Sequence, residues 1–261
     1  LLVSSAASDV YKRQDNNITE FYKLIDRALD DELIFIADPI LDPISYGFTD
    51  SLVRYVNLRE KYPDIHIMMG LGNITELTHA DTSGINMIML GIIEELKLNH
   101  ILTTQVSRHC STVIRETDLA RRIIHAASEN NLTPKHINDG LLVHHGHKDY
   151  AFCSDELIEM QGNIKDKNYR IYVNDDGIHL FNKNVYKIFS DPFDFYEHLE
   201  VSDDAGHAFY LGVELARAQI AYQLQKEYQQ DEELSWGCLV DKKVDNKLQS
   251  KELGPTFKKR K

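Results

Sequence analysis

Apolar positions in residues 15–128 switch between two patterns. Ile18, Phe21, Leu24, Ile25 and Ala28 recur at helix spacing and predict a helix over 18–29. Leu33-Ile34-Phe35-Ile36-Ala37 follows without alternation, as in a strand buried on both faces, and ends in Asp38-Pro39. Thr49 or Asp50 can cap the next helix, which runs through Leu52, Val53 and Val56 to Lys61, where Pro63 breaks it. Ile65-His66-Ile67-Met68-Met69 reads as a second buried strand, ending in Gly70-Leu71-Gly72-Asn73. Thr78 and Asp81 have capping-box spacing, ahead of an amphipathic helix with Ile85, Ile88, Met89, Ile92, Ile93 and Leu96 on one face. Residues 100–106 read as a third strand. Ser111 opens a helix with Val113, Ile114, Ala120, Ile123, Ile124 and Ala127 inward.

Helix and strand thus alternate with short connections, which implies a parallel sheet with right-handed crossovers. An open doubly wound sheet and a closed barrel both fit. In either, chemistry gathers at the carboxyl ends of the strands. The polar clusters at 38–42, 70–76 and 103–107 fall at those ends. No GxGxxG or GxxxxGK[ST] phrase marks a nucleotide site.

The clusters suggest a flat polar ligand. The Asp38 carboxylate can accept two parallel N–H bonds, as an amino-pyrimidinone edge offers. Asn73 carries a donor and an acceptor, so it can read a ring nitrogen and a carbonyl together. Gly70 and Gly72 let the backbone approach closely. Thr104, Gln105, Ser107 and Arg108, with a helix start at Ser111, form a candidate anion site. Each feature also has a plain structural reading: a turn, a loop with positive φ, a helix cap.

Taken together, Asp38-Pro39, Pro43-Ile44-Ser45 and Gly70-Leu71-Gly72-Asn73 resemble the pterin-binding superfamily, which includes dihydropteroate synthase and the methyltetrahydrofolate–corrinoid methyltransferases. The phrase over 70–86, with "LTTQV", "VIRETDLARR" and "DAGHAFYLG" further on, is most similar to dihydropteroate synthase-related proteins of tetrahydromethanopterin-type one-carbon metabolism. The resemblance covers most of the chain. It implies the last three strand–helix units of a TIM-type (β/α)8 barrel over 15–128, pterin contacts at Asp38 and Asn73, and pterin as the substrate. Two family features are missing. The Ser-Arg-Lys phrase after the penultimate strand is replaced by residues 70–73. The Arg-x-His of the last strand is replaced by Thr103-Thr104-Gln105, where Arg108, Arg115 or the Ser111 helix start could substitute. The implied function is therefore a dihydropteroate synthase-like transferase. The alternatives are a methyltransferase that needs a corrinoid protein partner, and a non-catalytic pterin binder. No other cofactor is implied, and a homodimer is compatible.

Beyond the barrel units, 129–165 reads as a connector. His144-His145-Gly146-His147 lacks partnered ligands at metal spacing and reads as a solvated loop, so no metal is expected. A helix over 155–166, a hairpin about Asn174-Asp175-Asp176-Gly177, a short helix from Asp191 and a long helix over 203–228 predict a small α+β domain over 166–240. The long helix should bury Phe209, Val213, Ala216, Ile220 and Leu224, with His207 in its first turn and Glu214 and Arg217 as a surface pair. Trp236 should anchor the domain against the sheet, and 241–261 should be a disordered tail.

At the other end, Asp9-Val10-Tyr11-Lys12-Arg13-Gln14 is the translation of GAT GTG TAT AAG AGA CAG, which resembles a sequencing-library transposon end. Residues 1–14 are expected to be adapter, the natural protein to begin upstream, and the fragment alone to be inactive. A net charge of −12 argues against nucleic-acid or anionic-membrane docking. Three scattered cysteines and the lack of an apolar run of about 18 residues fit a cytoplasmic protein.

Overall fold

A computed structural model describes residues 2–4, 14–146 and 148–241, with backbone alone for 2–4 and 14–17. Most of the adapter-like stretch (1, 5–13), His147 and the expected tail (242–261) lie outside the described residues. The chain divides into two compact units, Leu1–Leu141 and Leu142–Lys261. The stretch expected as a connector is therefore split. Residues 142–165 pack within the second unit, where the Gly146 amide donates to the Gln225 carbonyl at 3.0 Å.

The first unit runs β1 (Leu2–Ser4), α1 (Gln14–Asp30), β2 (Ile36–Asp38), α2 (Phe48–Lys61), β3 (Met68–Gly70), α3 (Gly72–Thr75), α4 (Thr82–Glu95), β4 (His100–Leu102) and α5 (Val113–Glu129). β1 pairs with β2 and β3 with β4, all parallel. A parallel bridge between Ala37 and Ile67 joins the pairs. The strands thus lie side by side in sequence order. Ala37, Ile67 and Met69 share one core with Phe21 and Ile25 of α1, Tyr55 and Leu58 of α2, Met89 and Ile93 of α4 and Ala120 of α5. Ile36, Asp38, Met68 and Gly70 on the opposite face are only half-buried. This corrects the expectation of strands buried on both faces: the helices cover one face.

The strands are also shorter than their apolar runs, for a local reason. Glu32 takes φ 53° after α1, and the Leu33 amide returns to the Ala28 carbonyl at 2.9 Å. Leu33 therefore belongs to the helix stop, and Ile34 is 92% exposed. α4 and α5 end alike, with Lys97 at φ 50° and Leu98 bonded to Ile93, and with Asn131 at φ 51° and Leu132 bonded to Ala127. None of these left-handed positions is glycine, and only Asn131 is a residue whose type signals a stop in the sequence. Lys97→Gly should stabilise the unit by about 0.5–1 kcal/mol in a urea melt, because glycine adopts positive φ without strain. The Lys97 side chain is exposed, and the Lys97 carbonyl would still accept from Arg59 Nη2 at 3.0 Å. Capping also departs from expectation. α2 begins after Gly47 at φ 102° and α4 after Asp81, and neither start has a side-chain cap bond.

In the second unit, α6 (Ser154–Gly162) precedes an antiparallel sheet of β5 (Arg170–Asn174), β6 (Gly177–Phe181) and β7 (Tyr186–Phe189). The β5–β6 hairpin is as expected, with Asn174 paired to Gly177 at φ 140°. β7 is an added strand. Its turn is made by Asn182, whose Oδ1 accepts the amides of Asn184 and Val185 at 2.8 and 3.1 Å. A 3-10 helix, Pro192–His198, starts where Asp191 accepts the Phe193 amide. α7 (Ala205–Leu224) follows, and Asp204 caps it through the His207 amide.

The buried face of α7 is not the expected stripe. It presents Leu211, Glu214, Leu215, Ala218 and Ala221, and Phe209 is 72% exposed. Glu214 is 2% exposed rather than a surface charge. It accepts from Arg217 Nη1 at 2.7 Å, Tyr228 Oη at 2.8 Å and the Asp231 amide at 3.2 Å, which satisfies the buried carboxylate. Trp236 lies over the buried Lys226, whose Nζ is 4.7 Å from the ring centre and donates to the carbonyls of Val143 and Ser235 at 2.7 Å each. Among the described residues, no helix is long and apolar enough to cross a membrane.

Candidate functional site

The carboxyl ends of β2, β3 and β4 carry the residues singled out in the sequence. Asp38 closes β2. Its Oδ1 accepts the Ile40 amide at 2.9 Å and the Tyr55 hydroxyl at 3.3 Å. Tyr55 is fully buried on α2, and its hydroxyl also lies 3.2 Å from the Met68 carbonyl of β3. One buried phenol thus ties Asp38 to the neighbouring strand. Burial pushes the Asp38 carboxyl above its ordinary range, and the Ile40 and Tyr55 bonds pull it partly back. The loop after Asp38 is fixed by Arg54, which donates to the Ile40 carbonyl at 2.8 Å and to Asp42 Oδ2 at 2.7 Å.

Asn73 stands in the single helical turn after β3 and is exposed. Its Nδ2 donates to the Leu41 carbonyl at 2.7 Å, joining the β2 and β3 loops. Asp38 and Asn73 are thus brought to the same edge of the sheet. The two glycines differ from each other. Neither Gly70 nor Gly72 has positive φ. Open space faces Gly70, as a ligand-facing position requires. A Cβ on Gly72 would come 2.9 Å from Thr104 Oγ1, so Gly72 makes room for the β4 loop.

The candidate anion site is built differently from the sequence expectation. Glu76 Oε1 accepts the Val106 amide at 2.8 Å and the Thr104 hydroxyl at 3.2 Å, and Oε2 accepts the Ser107 amide at 2.8 Å. These bonds, led by the Val106 amide, hold the Glu76 carboxyl down to about 2. The amides that could receive an external anion are therefore filled from within the chain. Ser111 does not begin a helix. A 3-10 turn, Arg108–Cys110, precedes it, α5 starts at Val113, and the Ser111 carbonyl accepts from Gln105 Nε2. Thr103 Oγ1, at the end of β4, is buried with no hydrogen-bond partner among the described residues. Two contributors escaped the sequence reading. Tyr55 was not singled out there, and the partners of Glu76 lie 28 to 31 positions away.

Much of the long phrase over 70–86 serves packing. Glu116 on α5 is 1% exposed. Its Oε2 accepts from Thr82 Oγ1 at 2.6 Å and Asn86 Nδ2 at 2.9 Å on α4, and its Oε1 from Thr112 Oγ1 at 2.6 Å. Thr117 Oγ1 lies 3.4 Å from Asn86 Oδ1. This buried polar network fastens α4 to α5.

Two clefts, of about 610 and 590 Å³, lie in the second unit. The larger is bordered by Tyr150, Phe152, Tyr172, Tyr228, Glu227 and Glu232. None of the strand-end residues lines either cleft. Cleft size and sequence chemistry thus point to different places. The strand ends are the stronger candidate, because there a half-buried carboxylate, an amide and a hydroxyl with no partner among the described residues occupy one sheet edge. Among the described residues, no group of three His, Cys, Asp or Glu side chains could hold a metal ion.

No protein-family model matches the chain. The chain is 31% identical over 241 residues to an uncharacterized protein of Methanocaldococcus jannaschii, an alignment that covers 81% of this chain and 44% of that protein. The chain thus spans less than half the length of the curated relative it matches.

Proposed function

We propose that the first unit is an arc of a pterin-binding (β/α)8 barrel, and that the whole protein is a pterin-dependent transferase of one-carbon metabolism, of the dihydropteroate synthase type. Asp38 accepts the amino-pyrimidinone edge, Asn73 reads the ring from the adjacent strand end, and Gly70 leaves room for its face. The observation that carries this reading is the placement of Asp38 and Asn73 on neighbouring parallel strand ends, tied together through Tyr55 and Leu41. The barrel part is supported by β2, β3 and β4, which lie in sequence order with helices on one face only; β1 falls in the adapter-like stretch and carries no weight. A doubly wound sheet covers both faces and reverses its strand order.

A second reading, methyl transfer from a methylated tetrahydropterin to a corrinoid protein, is favoured by one observation. The anion-facing amides after β4 are already filled by Glu76, so the loop offers no vacant place for a diphosphate. Formation of a carbon–nitrogen bond from a hydroxymethylpterin diphosphate and an arylamine supports the first chemistry. Movement of a labelled methyl group to a corrinoid supports the second.

Asn73→Ala in the full-length protein should weaken pterin binding by about 1–3 kcal/mol, the cost of stranding a buried polar partner. Because Asn73 also tethers Leu41, the same variant should lose about 0.5–1.5 kcal/mol of stability, one ordinary hydrogen bond. Fluorescence titration with a pterin and a urea melt separate the two effects. Unchanged pterin affinity removes Asn73 from the site.

A further inference from the structure

The two clefts of the second unit join into a trough, because Asp149, Tyr150 and Phe152 border both. The trough follows β5, the edge strand of its sheet. Its walls are aromatic. Phe152 meets Tyr172 edge to face at 5.6 Å, and Tyr172 stacks on Phe181 at 5.6 Å with the rings 6° apart. Tyr228 is tethered through its hydroxyl, which donates to Glu214 Oε2 at 2.8 Å. These rings are fixed, yet Phe152 is exposed and Tyr150, Tyr172 and Tyr228 are only half-buried.

The rim is acidic. Glu227, Glu232 and Glu233 join Asp149 around the larger cleft, and no Lys or Arg borders it. The smaller cleft adds Asp175 and Asp176, with Lys148 as the cation among its lining residues. Lys148 Nζ lies 3.2 Å from Glu227 Oε1, and both side chains are more than half exposed. Such a pair is weak, so another ammonium group can replace it. The carboxylates are spread along the trough rather than gathered at a point. Among the described residues, no three acidic, His or Cys side chains come close enough to hold one metal ion. A compact cation therefore meets only part of this rim. An extended cation meets the carboxylates one after another. The ring faces attract its charged groups and cover the methylenes between them. A cleft of about 610 Å³ is of small-molecule size.

We propose that this trough binds a linear polyamine, an apolar chain that carries several ammonium groups. Its occupancy does not depend on a pterin at the strand ends of the first unit. Spermidine titrated calorimetrically into the full-length protein, with MgCl₂ as the compact control cation, is the test. Wild type should bind spermidine saturably and about tenfold more tightly than Mg²⁺, which cannot use the rings. Asp149→Asn combined with Glu232→Gln should weaken spermidine about tenfold, the loss of two exposed ion pairs. Phe152→Leu should weaken spermidine about fivefold, the loss of one ring face, and leave Mg²⁺ unchanged. A urea midpoint equal to that of wild type establishes that each variant folds. If Phe152→Leu does not, Tyr150→Leu carries the ring comparison. No saturable binding of spermidine, equal affinity for spermidine and Mg²⁺, or an unchanged spermidine affinity in either folded variant overturns the proposal.

Discussion

Glu116→Ala should destabilise the first unit by about 3–5 kcal/mol, because it strands several buried donors at about 1–3 kcal/mol each, partly relieved by relaxation and water. The donors are the Thr82 hydroxyl, the Asn86 amide and the Thr112 hydroxyl, all within 2.9 Å of the carboxylate. Typical domain stabilities are about 5–15 kcal/mol, so the variant should unfold at much lower urea or lose a cooperative transition. Glu116→Gln should lose less. It keeps the volume and one acceptor, and turns an N–H₂ towards a donor at the other oxygen. A loss below about 1 kcal/mol for Glu116→Ala would mean that the α4–α5 network is not structural.

Asp38→Asn should cut pterin affinity by about 2–5 kcal/mol, because the two neutral N–H donors of the ring edge, at about 1–3 kcal/mol each, lose a charged acceptor and one of them meets an amide N–H₂. The variant is almost isosteric, and its remaining carbonyl can still accept the Ile40 amide and the Tyr55 hydroxyl. The folded apo-protein should therefore be no less stable. Burial already raises the Asp38 carboxyl, so the ionised form is held there against a desolvation cost that asparagine does not carry. Affinity loss with retained stability is thus the signature expected of Asp38. Loss of both would place it in the scaffold instead.

The helices were legible where one face was strongly apolar. Phe21, Ile25 and Ala28, and then Met89 and Ile93, are buried as their spacing implies, whereas Leu24, Ile88 and Ile114, expected on the same faces, are 52%, 68% and 53% exposed at the edges of those stripes. α7 was misread because apolar residues lie all round it. Its exposed Phe209 looked more core-like than Leu211 or Ala218, and the burial of Glu214 depends on Tyr228 and Asp231 beyond the helix. Strand limits were not legible because three helices end at non-glycine residues in the left-handed region, with the next leucine completing the stop. At the site, Asp38, Asn73 and the hydroxyl loop could be read as polar residues closing apolar runs. Their partners could not. Tyr55 differs from a core tyrosine only by where its hydroxyl ends, and Glu76 looks like any surface acid until its two amide partners on the neighbouring loop are located.

The central claim is that these strand ends hold a pterin. Fluorescence titration of a pterin into the full-length wild-type protein and its Asp38→Asn variant tests it most directly. The account predicts saturable binding by wild type and at least about a thirtyfold weaker response from the variant, the lower end of the expected energetic loss. No saturable binding, or equal binding by the two proteins, would contradict it.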